Sequence, residues 1–308
     1  MPFPAITPEL IAAALLALLP LAIAGWVPAR IANSAPRGWA GLVLPALLCL
    51  PYLLIAVPAR VFAWRWLALY ISLPIAVAAA LRCARHMDPP QHGKLIRGTF
   101  IRGTFIRGTW IDYAVLLVLG LAVDLRWFEP AWPPHLAAFN KILLLDAGIY
   151  GMLAVRQLEG VGFSLRIRLS DLRAGLRELA FYAPIAIPLG LALGFLHLHR
   201  GLPSPGHALF AWCFTFVLIA IPEELFFRGW VQNLLERRIG RPGALAATAV
   251  LFGLSHFNKR APSFNWRYVI LAAIAGIFYG RAWRAERRVA ASAITHASVD
   301  TLWSLFLR

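Results

Sequence analysis

Ile221-Pro222-Glu223-Glu224-Leu225-Phe226-Phe227-Arg228-Gly229-Trp230 is the stretch on which the reading of this chain turns. Two adjacent carboxylates and an arginine sit in a run, Leu209 to Leu235, that is otherwise mostly apolar and long enough to cross a bilayer. Ionisable groups are expensive at that depth, so each one is read first as a functional residue with a partner. On a helix Glu224 and Arg228 stand at i, i+4 and can pair, which offsets part of the cost of burying either. Glu223 points about 100° away around the axis and is the candidate reactive carboxylate.

The surrounding composition sets the solvent. Of 308 residues 60% are hydrophobic and only 14% charged, which excludes an ordinary soluble domain and predicts an all-α, polytopic transmembrane helix bundle. About 8–10 spans are expected. The apolar runs are Pro8 to Trp26, Gly41 to Val57, Trp64 to Leu81, Asp112 to Phe128, Ala137 to Val155, Glu178 to Leu198, Leu209 to Leu235, Ala244 to Phe257, Tyr268 to Ala282 and Ala290 to Leu307. The N-terminal run lacks a preceding basic region and reads as a retained span rather than a cleaved signal peptide.

A net charge of +16 raises nucleic acid as a partner, but the basic residues fall in short loops between apolar runs and form no basic stripe interleaved with exposed aromatics. They read instead as topology signals and contacts to anionic lipid. The richer set of loops holds Arg30 and Arg37, the group Arg82 to Arg107, the group Arg156 to Arg177, Arg237, Arg238 and Arg241, and the group Arg281 to Arg288. The positive-inside rule puts these in the cytoplasm and both termini outside. An integral multi-pass protein of the bacterial inner membrane is the expected location, with the lipid bilayer as one partner and no nucleic acid. Cys49, Cys83 and Cys213 have no metal-ligand spacing and predict no disulfide framework.

Three segments organise the chain. Residues 1–110 hold N-terminal spans and a basic loop with a tandem repeat, Ile96 to Phe100, Ile101 to Phe105 and Ile106 to Trp110, read as a duplication in a tolerant loop. Residues 111–177 form a transmembrane hairpin and a second basic loop that alternates with apolar residues and can lie along the membrane surface. Lys141 and Asp146, in or beside the fifth run, are read as a packing polar pair or, for Lys141, a snorkelling side chain. Residues 178–308 carry the polar constellation.

In that last segment His256 closes an apolar run with Phe252 one turn before it, and His296 and Asp300 share one helical face. Counted from the cytoplasmic loops at ~1.5 Å per residue, Glu223 and His256 lie ~20 Å deep, and His296 and Asp300 ~12 and ~18 Å deep. Glu, His, His and Asp from separate spans thus reach a similar layer. Those residue types permit hydrolysis: a buried carboxylate and a histidine can activate water, and a second histidine can stabilise an oxyanion. They equally permit a zinc site through His256, His296 and Glu223, although the HExxH spacing of common zinc proteases is absent.

With Glu223, Glu224 and Arg228 as EExxxR, Phe252 and His256 as FxxxH, and His296 and Asp300 as HxxxN/D, the chain resembles the CPBP family, the CAAX prenyl protease type II and Abi-like intramembrane proteases. The resemblance spans about residues 178–308. It implies a glutamic-type endopeptidase without a cofactor, acting on a membrane-tethered protein or peptide of CAAX, bacteriocin or sorting-tail type. It also implies that Glu223 and His256 activate the water, that His296 and Asp300 form the oxyanion site, and that Glu224 with Arg228 fixes the motif helix. Many members carry Asn at the last position, and an ionised Asp300 cannot donate to an oxyanion. Asp300 then has to be protonated, orient His296 or ligate a metal. A catalytically silent membrane scaffold or immunity-type protein, and a proton-coupled transporter, are the competing classes.

Overall fold

A computed structural model describes residues 7–26, 40–89, 91–96, 99–198, 201, 203–259, 261 and 263–307. Arg30, Arg37 and Arg97, named above among the basic loops, lie outside the described residues. The chain is helical and divides into two compact units, residues 1–159 and 160–308.

The first unit contains α1 (Pro8–Trp26), α2 (Ala40–Ala56), α3 (Trp64–Met87), α4 (Trp110–Asp124) and α5 (Pro134–Val155). On α1 the exposed side chains Ile11, Leu15, Leu19 and Ile23 recur every fourth residue, while Ala13, Ala17 and Leu21 are buried. A helix with a continuous outward stripe of large apolar side chains and a mainly small inward face is placed against lipid, not water. α2 is not a straight span: Leu44–Cys49 winds as a tighter 3-10 turn with Pro45 at its start, and Pro51 begins the next helical turn. Among the described residues one pair of strands, β1 (Gln91–Ile96) and β2 (Thr99–Phe105), forms an antiparallel hairpin in the basic loop, pairing Gln91 with Phe105 and Ile96 with Thr99. The tandem repeat expected to be a plain loop therefore contributes an ordered strand. At the end of α5 the fully buried Arg156 reaches Asp112 at 2.8 Å and Asp88 at 2.9 Å, tying α3, α4 and α5 together. Lys141 and Asp146 do not pair: Lys141 is exposed and Asp146 is fully buried.

The second unit contains α6 (Leu169–Ala192), α7 (205–239), α8 (241–254), α9 (Trp266–Glu286) and α10 (Val289–Phe306). The run from Pro205 to Leu254 bends at Gly240, whose φ of 75° is the left-handed conformation only glycine adopts freely. α7 is irregular where the glutamates sit. Phe216–Ala220 and Leu225–Gln232 are π-helical and flank the four residues Ile221–Glu224. Pro222 has no N–H to give to the ladder, so the wider turns re-pair the backbone there, a distortion typical of functional sites.

Small residues let these helices approach. Ala174, Ala282 and Ala291 meet in one cluster, and Phe252, Ala272, Ala275 and Tyr279 in another, against which Tyr182, Phe227, Tyr268 and Val299 pack. A Cβ on Gly253 would lie 2.5 Å from the Val269 carbonyl oxygen, so α8 and α9 touch backbone to backbone. At one end of the unit the buried acids are answered by arginines: Asp171 by Arg288 at 2.8 Å, and Glu178 by Arg281 at 2.7 Å and Arg177 at 2.9 Å.

Four runs, Pro8–Trp26, Trp64–Met87, Pro134–Val155 and Pro205–Leu254, are long and apolar enough to cross a membrane. The last of these is two helices in the geometry above. The remaining helices are shorter or carry charged ends, as α6 and α9 do with Arg177, Glu178, Arg281 and Arg284. The architecture is a helical membrane bundle, and the protein is an integral membrane protein.

Candidate active site

α10 places His296 at the centre of the second unit, 2% exposed, with carboxylates on both sides of its ring. Its Nδ1 lies 2.8 Å from Glu224 Oε1, and its Nε2 lies 3.9 Å from Glu223 Oε2 and 3.5 Å from Asp300 Oδ2. A carboxylate only accepts, so Nδ1–H donates to Glu224 and the chemistry of the ring is left to Nε2. Glu224 and Arg228 are fully buried and paired at 2.9 Å, as the i, i+4 spacing predicts. The guanidinium also donates to the Gly276 carbonyl at 3.0 Å and lies over the rings of Phe252 and Tyr279, at 4.6 and 5.2 Å. Those contacts desolvate a charge that is paired, bonded and held over π faces, the conditions under which a buried pair is tolerated.

His256 lies in the turn just past α8, 6% exposed. Its Nδ1 is 2.8 Å from the Phe252 carbonyl and 3.1 Å from Ser255 Oγ, while Ser255 Oγ donates to the same carbonyl at 2.8 Å. A carbonyl only accepts, so Nδ1 carries the hydrogen and Nε2 keeps its lone pair. Both imidazoles lean on the Phe252 ring, at 4.9 Å for His256 and 5.6 Å for His296. The FxxxH phenylalanine is thus the wedge that spaces the two histidines.

His256, His296 and Asp300 line a cavity of about 70 Å³ whose other walls are mostly apolar and aromatic, among them Tyr182, Phe195, Tyr268, Tyr279 and Trp303. That space admits a few waters, since a single water needs ~10–15 Å³ measured in the same way. Glu223 stands at the edge of this group, its side chain 29% exposed.

All seven residues singled out in the sequence therefore assemble. The resemblance groups Glu223 with His256 and His296 with Asp300 by role; the structure adds that Glu223 also lies beside His296 and that Glu224 holds Nδ1 of that ring. Tyr279 escaped the sequence reading altogether. It is buried and stacked on His296 at 4.7 Å with an interplanar angle of 15°. Its only signal is a hydroxyl in the middle of an apolar helix, which reads as core. Tyr268 meets His256 edge-on at 4.7 Å in the same way.

The zinc alternative requires three ligands around one point. Among the described residues no three His, Cys, Asp or Glu side chains converge closely enough to hold a metal ion.

Residues 205–302 match the family model described as Type II CAAX prenyl endopeptidase Rce1-like. The similarity covers part of the chain and supports the likeness to the CPBP family that the three motifs carry. The match covers α7 to α10 nearly whole, including every motif residue. No curated protein and no solved structure matches the chain.

Proposed function

We propose that this protein hydrolyses a peptide bond of a membrane-tethered protein or peptide, with its own side chains activating the water. The observation that carries this reading is the ring of His296 held between two carboxylates, 2.8 Å from Glu224 and 3.9 Å from Glu223, beside a second buried histidine on a water-sized cavity.

In this mechanism a water between Glu223 and His256 gives one proton to one of these two bases and a hydrogen bond to the other, and attacks the scissile carbonyl. His296, fixed through Nδ1 by Glu224, presents Nε2–H to the oxygen as negative charge develops on it. Asp300, 3.5 Å from that nitrogen, orients the ring and does not itself donate. Collapse of the tetrahedral intermediate passes the proton from Glu223 or His256 to the leaving amine. The aromatic walls exclude bulk water, which strengthens each of these interactions. The substrate is a CAAX-type, bacteriocin-type or sorting-tail segment, and the location is the bacterial inner membrane.

The test is a panel of membrane-tethered reporter peptides incubated with purified protein in detergent, the products identified by mass spectrometry. Wild type cleaves at least one reporter, and Glu223→Ala and His256→Ala each lose that cleavage while melting like wild type. Equal cleavage by wild type and either variant contradicts the assigned roles.

A further inference from the structure

Away from the cavity, the second unit carries an open cleft of about 420 Å³ lined by Arg177, Arg241, Arg281, Arg284, Arg287 and Glu178. Glu178 is buried and bonded to Arg177 and Arg281, and Glu236 takes Arg284 at 3.4 Å and Arg287 at 2.6 Å. Five guanidinium groups against these two carboxylates leave three positive charges. Arg241 makes no ion pair among the described residues and is exposed. The acids bond part of four of these guanidinium groups, those of Arg177, Arg281, Arg284 and Arg287, and so fix them at the cleft wall with further N–H groups to give. A preorganised fork of this kind suits phosphate oxygens, which accept two parallel N–H bonds from one arginine.

The walls of the cleft say where that phosphate comes from. α6 carries Leu172 and Leu176, exposed at 39% and 46%, beside Arg177. Arg281 lies over the rings of Phe181, itself 53% exposed, and Phe278, at 5.9 and 5.7 Å. On the other side Ile239 is 54% exposed next to Arg241. Charged groups flanked by outward apolar side chains sit at a bilayer boundary, and the positive-inside bias assigns this end to the cytoplasmic leaflet, where anionic lipids attract arginine.

We propose that this cleft binds the phosphate headgroup of an anionic phospholipid, with the acyl chains lying along the leucines of α6. The site is separate from the proposed catalytic group and does not depend on it.

Native mass spectrometry of the full chain in detergent tests this with phosphatidylglycerol and phosphatidylcholine as probes. The variant is Arg241→Gln with Arg284→Gln, which leaves Glu178 both its partners and Glu236 its Arg287. Arg166→Gln with Arg173→Gln removes the same charge outside the cleft lining. Wild type retains phosphatidylglycerol over phosphatidylcholine by about tenfold, the cleft variant loses most of that preference, and the control keeps it. Arg241→Gln alone, which breaks no pair, shows a smaller loss in the same direction and guards against a folding defect. The proposal falls if both lipids are retained alike, if the cleft variant binds as wild type does, or if the control loses as much. Displacement of phosphatidylglycerol by millimolar inorganic phosphate would assign the cleft to a soluble anion and overturn the lipid.

Discussion

His296 joins the parts of the site, because each of its ring nitrogens is held by a different carboxylate environment. Glu224 and Glu223 are adjacent in sequence, yet the first is fully buried and the second partly open, so their substitution separates structure from chemistry. Glu224→Ala strands Arg228 as an unpaired buried charge. The expected cost is about 3–5 kcal/mol, read as a loss of thermal stability in detergent. Glu223→Gln leaves the melting temperature close to wild type and lowers turnover by about 10²–10⁴-fold, the range for loss of a general base. Asp300 tests a finer point. If its task is to orient His296 by accepting from Nε2–H and not to donate, Asp300→Asn, which keeps an accepting oxygen there, holds turnover within about tenfold of wild type, well short of the loss expected for an oxyanion donor. A loss beyond a hundredfold would mean that the negative charge itself is required.

Helices set the distances between these groups, and two features of the helices matter most. The π turns around Ile221–Glu224 bring both glutamates to one histidine, although a regular helix turns neighbours about 100° apart. The close crossing of α8 and α9 then sets His256, three residues beyond Gly253, against Tyr268. Gly253→Val therefore forces the two backbones apart, and both stability and turnover fall together; unchanged kinetics in a folded variant would show that the crossing does not position His256. Much at this scale was legible. Each of the ten apolar runs is a helix, because a bilayer admits no other pairing for its backbone. The shorter bounds of α4 and the 3-10 break in α2 were not, since both depend on where prolines and caps interrupt the ladder: Thr109 caps α4 with a full capping box, and Pro45 opens the break. The hairpin at 91–105 was hidden by a five-residue repeat that masks the two-residue period of strands.

At the scale of the whole molecule, sequence order located the motif residues but could not show which would touch. EExxxR, FxxxH and HxxxD predict three polar faces; that Glu224 rather than Asp300 takes Nδ1 of His296 depends on how α7 packs on α10, which no local spacing encodes. Tyr279 was invisible for the same reason. The loop charges do predict orientation. In a variant free of its native cysteines, Arg173→Cys should react with an impermeant maleimide only from the cytoplasmic side, and Ala261→Cys only from the opposite side. The reverse pattern would invert the assignment of both ends of the second unit.

In the proposed mechanism side chains alone activate the water. The most direct measurement is the initial rate of reporter cleavage by purified protein before and after exhaustive treatment with a strong chelator, with Glu223→Gln alongside. An unchanged wild-type rate, with Glu223→Gln inactive in both conditions, is the predicted result. A rate abolished by the chelator and restored by zinc would contradict it, and would make His256 and His296 ligands instead of base and donor.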